Sequence, residues 1–161
     1  MRKIFYILLI AAAASLLSAC SHDIVYSRFI PISYPGGTIT SSEEWAADSV
    51  LRFDYTIPDA AVDYRMLVYV RHTERYPYQN MWLFIDDGQR EDTIEFYLAD
   101  DRGRWLGDKN HGFIEMPVLL EVTKQFPDTG AYSLTIRQGM RDSLLRGITD
   151  VGVEIIRNGE K

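Results

Sequence analysis

The sequence is poor in the residues that build chemical sites. Of its 161 residues one is cysteine, Cys20, and three are histidine, His22, His72 and His111. A lone cysteine excludes a disulfide within the chain and removes the thiolates from any cysteine–histidine zinc pattern. The histidines share no ligand-like spacing and read as ordinary polar residues, so no metal is expected. Positive charge is also short, with 17 Lys and Arg against 23 Asp and Glu, and a formal charge of −6 argues against nucleic acid as a partner. There is no Gly-Xaa-Ser-Xaa-Gly elbow, phosphate loop or dinucleotide fingerprint. Past residue 20 there is no long amphipathic helical period, internal repeat or low-complexity segment. Stability must therefore come from packing, and a hydrophobic fraction of 47% is enough for one core and one domain.

What is present begins with a targeting segment. Arg2 and Lys3 precede an apolar stretch from Ile4 to Leu17, and Leu17-Ser18-Ala19-Cys20 closes it in the pattern of a bacterial lipobox. The apolar run is shorter than the ~20 residues a spanning helix needs. Residues 1–20 are thus expected to be a lipoprotein signal peptide with acylation at Cys20. Residues 21–161 are expected to form a single β-sandwich domain on a short tether, Ser21-His22-Asp23. The membrane is the first expected partner, held by acyl chains on Cys20, of which more than one is needed for stable anchoring.

The mature chain is organised around Asn80 to Gly107. Met81–Ile85 and Thr93–Leu98 flank a charged Asp-Asp-Gly connection and read as a hairpin. Ile94, Phe96 and Leu98 alternate with Thr93, Glu95 and Tyr97, which makes a half-buried strand. Met81–Ile85 is apolar throughout, which predicts a central strand buried on both faces, with Trp82 in the core. Strand periods also run through Ile24–Ile30, Val50–Ile57, Tyr64–Arg71, Val118–Val122, Tyr132–Arg137 and Asp150–Ile156. Pro31 to Ser42 and Lys109 to Pro117 read as loops. Ser42–Trp45 and Gln138–Gly147 each read as holding a short helical turn. The sum is an all-β fold, a jelly-roll-like β-sandwich of about eight short antiparallel strands, whose order periodicity does not disclose.

The densest polar and aromatic loop is Asp100 to Trp105. Arg102, Arg104 and Trp105 are the candidate partner-contact residues, because arginine and tryptophan combine large contact area with directional hydrogen bonding. Asp100 reads as a rim charge of little consequence. Asp100, Asp101 and Asp108 could supply oxygen ligands to calcium, but their spacing matches no EF-hand loop and solvated charges are the better reading. A carboxylate pair such as Glu95 and Asp101 could in principle cleave a glycosidic bond, yet any acidic protein offers such pairs. Neither an enzyme nor a cofactor is expected. Tyr76, Tyr78, Trp82, Tyr97 and Trp105 cluster around the hairpin in sequence and could stack on sugars or anchor a protein.

Several blocks resemble the GldH family of gliding-motility lipoproteins of Bacteroidetes. They are Asn80-Met81-Trp82-Leu83-Phe84-Ile85, the run Asp92 to Ala99, Gly103-Arg104-Trp105-Leu106-Gly107, Gln138-Gly139-Met140-Arg141 through Leu145, Gly147-Ile148 and Asp150-Val151-Gly152. The resemblance implies a non-catalytic cell-envelope lipoprotein associated with the motility machinery, with other envelope proteins as partners. It also implies a position at the outer membrane facing the periplasm, since only Asp23 supplies acidity after Cys20. A carbohydrate-binding sandwich lipoprotein is the alternative.

Overall fold

The computed structural model describes residues 24–32 and 44–158. Cys20, His22, the tether and most of the segment read as a loop before Ser42 lie outside the described residues. Eleven strands are formed and no helix among those residues. They are β1 (Ile24–Pro31), β2 (Glu44–Ala46), β3 (Leu51–Ile57), β4 (Tyr64–His72), β5 (Asn80–Asp86), β6 (Glu91–Tyr97), β7 (Asp108–Asn110), β8 (Phe113–Lys124), β9 (Gly130–Gln138), β10 (Leu144–Arg146) and β11 (Ile148–Arg157).

Period-two alternation sets which side chains go inside. Leu51, Phe53, Tyr55 and Ile57 of β3 are buried while the residues between them are exposed. Tyr64, Met66, Val68, Val70 and His72 are the buried set of β4. The inward faces of two sheets, ordered β1-β11-β4-β8-β7 and β3-β9-β5-β6, meet in one hydrophobic cluster. All ladders are antiparallel.

Setting aside the three-residue strands β2, β7 and β10 leaves eight. Their ladders join first to eighth (β1–β11), second to seventh (β3–β9), third to sixth (β4–β8) and fourth to fifth (β5–β6). This is one long hairpin folded over so that successive pairs fall alternately into the two sheets, which is the jelly roll. β5 is central in its sheet, as its composition predicts.

Four local expectations are corrected. Glu44–Ala46 is a strand rather than a helical turn, pairing with β10 so that Trp45 faces Leu145, both fully buried. The predicted turn within Gln138–Gly147 is replaced by that same β10. Lys109 to Pro117 holds β7 and the start of β8; Pro117 is accommodated because β7 ends its pairing with β8 before that position, leaving an edge where a missing amide breaks no ladder. Trp82 is not in the core: it is 36% exposed on the outer face of β5, so this strand is fully buried on one side only.

The register gives the sandwich two distinct ends. At one, Ile24 pairs with Ile156, Arg157 with Tyr64, and Tyr64 with Lys124. The 87–90 connection between β5 and β6 lies at this end. The other end carries the 73–79, 98–107 and 139–143 connections. Strands of nine residues such as β4 and β9 separate the ends, about 30 Å at ~3.3 Å per residue.

Candidate functional site

The loop that sequence singles out lies at the second end. Its base is clipped by the amides of Leu98 and Ala99, which donate to the Gln79 carbonyl at 2.7 and 3.0 Å, and by the Leu106 amide donating to Leu98 at 2.8 Å. Its head is organised by Asp100. One carboxylate oxygen accepts the amides of Arg102 and Arg104 at 3.0 and 2.8 Å, and the other accepts Arg104 Nε at 2.8 Å. The Arg104 amide foremost, with its guanidinium and the Arg102 amide, holds the Asp100 carboxyl below the usual carboxylate range against a smaller opposing effect of burial. Asp100 is therefore the hub of the loop and not a passive rim charge. Gly103 supplies the left-handed residue, with φ at 75°, that lets the chain turn back.

The three candidate contact residues differ in what they present. Arg102 is exposed. The Arg104 side chain is 73% exposed, its head fixed by Asp100. Trp105 is half-buried, its ring 4.7 Å from His72 and 6.5 Å from Tyr76, so it closes this end of the core while showing one part of itself to solvent. Tyr76 is buried and donates from its hydroxyl to the Asn80 carbonyl at 2.8 Å; Tyr78 reaches across to Asp142 at 2.9 Å. The sequence cluster of aromatics is thus split. Trp105 joins Tyr76 and Tyr78, whereas Trp82 and Tyr97, the latter 59% exposed, stand on the outer face of the second sheet beside an Asn80–Glu95 bond of 2.6 Å.

Two residues of this end were not foreseen. His72 is fully buried, and its Nδ1 lies 3.1 Å from the Thr73 carbonyl. Gln138, 2% exposed, ties down the 139–143 connection by donating to Asp142 and accepting from the Met140 amide at 2.7 and 2.8 Å. Parity carries the signal for both, since His72 continues the buried series of β4 and Gln138 that of Leu134 and Ile136 in β9. Among the described residues no three His, Cys, Asp or Glu side chains gather as a metal site.

A second feature lies at the opposite end. Along the β1–β3 side the sheets meet, with the Tyr26 and Tyr55 rings 5.7 Å apart. Near β6 and β8 a cavity of about 450 Å³ opens between them, walled by Met66, Ile94, Leu120, Phe126 and Leu134 and rimmed by Asp87, Arg90, Asp92, Glu121 and Lys124. Lys124 Nζ reaches Asp87 at 3.2 Å, from the end of β8 to the 87–90 connection. Burial alone would raise the Asp87 carboxyl, but the amides of Gln89 and Arg90 and the Lys124 ammonium outweigh it and hold the carboxyl below its ordinary value. Sequence periodicity could not reveal this cavity, because it depends on how two strands from different sheets diverge.

Residues 36–155 match the family described as GldH lipoprotein. A gliding motility lipoprotein GldH homolog of Christiangramia forsetii is 28% identical over 96% of this chain and 97% of its own length. The gliding motility lipoprotein GldH of Flavobacterium johnsoniae is 28% identical over 89% of this chain and 91% of its own. Among solved structures, dimeric latent PorU of Porphyromonas gingivalis aligns with 84% of this chain and 13% of that one at a TM-score of 0.39 and 7% identity. CBM35 from Cellvibrio japonicus Abf62 aligns with 89% of this chain and 96% of that one at 0.35 and 13% identity. Likenesses this distant carry no functional argument.

Proposed function

The chain belongs to the GldH lipoprotein family, and from that premise we propose that it is a non-catalytic component of the gliding-motility apparatus. In this reading lipid on Cys20 anchors it to the outer membrane, facing the periplasm, and it binds another envelope protein through the end that bears Arg102, Arg104 and Trp105. The observation that carries the reading is the opposition of the two ends. Ile24, four residues after Cys20, is at one end, and the braced loop with its exposed guanidiniums and part-exposed indole is at the other. Anchoring by the first end leaves the second free to meet a partner, and a rigid arginine–tryptophan surface loses little entropy when it does.

The test compares Trp105→Ala and Arg104→Ala for melting temperature and for crosslinking to envelope proteins. Arg104→Ala should weaken partner binding by upwards of ~2 kcal/mol if that residue is an anchor, with the fold intact. Because Trp105 also packs on His72 and Tyr76, its loss should lower both melting temperature and crosslinking. Unchanged crosslinks in the folded fraction of both variants would reject the contact surface.

The exposed Trp82 and Tyr97, flanking the Asn80–Glu95 bond, favour one second reading, a platform on which a sugar ring stacks. Retention on immobilised envelope glycans that disappears in Trp82→Ala would support it. No retention of the wild type would remove it.

A further inference from the structure

We propose that the cavity between β6 and β8 takes one acyl chain of a zwitterionic membrane phospholipid, with the headgroup held at its charged rim. The inference rests on the anchoring reading, because the bilayer is what brings the ligand to the mouth.

The cavity, about 450 Å³, falls within the ~300–1,000 Å³ of small-molecule sites. The buried part of its lining is apolar and draws on both sheets, Met66, Phe126 and Leu134, whereas the charged side chains of Asp87, Arg90, Asp92 and Lys124 that also line it are 29 to 71% exposed. An all-apolar ligand would leave that rim unused, and a sugar would face aliphatic walls that cannot bond its hydroxyls. A lipid meets both regions. Arg90 and Lys124 suit its phosphate, while Asp87, Asp92 and Glu121 suit an ammonium. The Lys124–Asp87 pair joins the two lips, and its partners can be exchanged one for one with the two charges of such a headgroup.

Position selects the bilayer as the source. Ile24, Ile156, Arg157, Tyr64 and Lys124 lie in register across one end of the first sheet, so the chain runs toward Cys20 from the end where the cavity opens. The residues from Cys20 to Ile24 span at most ~13 Å at ~3.3 Å each. The same end exposes Ile24 by 51% and Val122 by 64%, apolar surface that a lipid interface would cover.

The experiment places the mature protein, acylated at Cys20, in vesicles of phosphatidylcholine that include a phosphatidylcholine with a diazirine midway along one acyl chain. Irradiation should give adducts on peptides containing Ile94, Leu120 or Leu134. Leu120→Trp, and independently Ile94→Trp, fill the cavity; in whichever variant keeps its melting temperature, adducts on the remaining walls should fall about tenfold, the factor produced by a loss of ~1.4 kcal/mol. Adducts confined to residues outside the cavity, or undiminished in a folded filling variant, would overturn the proposal. So would wall adducts that arise only from a diazirine fatty acid incorporated at Cys20, because the occupant would then be the protein's own lipid. Absence of an acyl mass on Cys20 would remove the anchoring reading alone, since the same photolipid in detergent micelles reads the cavity directly, and wall labelling there decides it either way.

Discussion

His72 shows how one buried group makes the fold sensitive to pH. A carbonyl only accepts, so the bond to Thr73 requires a proton on Nδ1 and leaves Nε2 as an unprotonated, buried atom with no hydrogen-bond partner. Burial lowers the His72 pKa, and the Thr73 carbonyl opposes it only in part. In the unfolded chain the imidazole titrates near ~6.5, so below that pH the unfolded state binds the proton the folded state refuses. Stability should therefore be complete above about pH 6.5 and fall as pH drops through the folded pKa, with a slope of at most ~1.4 kcal/mol per pH unit. Denaturant midpoints from pH 8 to 5 would show it, and His72→Phe should flatten the curve; an equal slope in both proteins would assign the effect elsewhere. Asp100 is the contrasting case, a carboxylate at the surface whose work is local. Asp100→Ala should speed amide hydrogen exchange at Arg102 and Arg104 while leaving the global midpoint nearly unmoved, and protected amides in the variant would contradict its role as hub.

Strands were legible in the sequence wherever one face is buried, because a period of two is then written into the residues. Phe96 and Leu134 fall on the buried side and Glu95 and Thr135 on the other, as alternation predicts. Truncating Phe96 or Leu134 to Ala should cost ~2 to 5 kcal/mol in chemical unfolding. The same change at Glu95 or Thr135 should cost less than ~1 kcal/mol. Equal losses would mean that the parity is misassigned. The elements that sequence missed are the ones too short to carry a period, β2, β7 and β10, each of three residues. Trp45 is buried through pairing with Leu145 of β10, 145 − 45 = 100 positions away, and no local pattern reports that. Trp82 misled for the converse reason, since an apolar residue on an outward face looks like core until the opposing sheet is located. Gly147 marks another non-local demand: its φ is 82°, and a Cβ there would come within 2.4 Å of the Tyr76 nitrogen.

The whole molecule is polarised in a way that neither its composition nor its individual strands disclose. Folding one long hairpin over itself brings Ile24, at the start of the first described strand, and the 87–90 connection to one end, and the Asp100–Trp105 loop to the other. If Cys20 carries the lipid, position 89 sits near the bilayer and position 102 stands roughly a strand length beyond it, about 30 Å. The scarcity of cysteine makes this measurable, because Cys20 is the single thiol of the natural chain and acylation consumes it. Gln89→Cys and Arg102→Cys then each offer one site for a fluorophore. In vesicles containing a phospholipid with a nitroxide on its headgroup, the label at 89 should be strongly quenched and the label at 102 should behave as in unlabelled vesicles, since a contact quencher does not act across that distance. Comparable quenching at both positions would mean that the sandwich lies on its side. Stronger quenching at 102 would mean that the supposed partner surface faces the lipid, and the contact loop would have to be reassigned to the membrane.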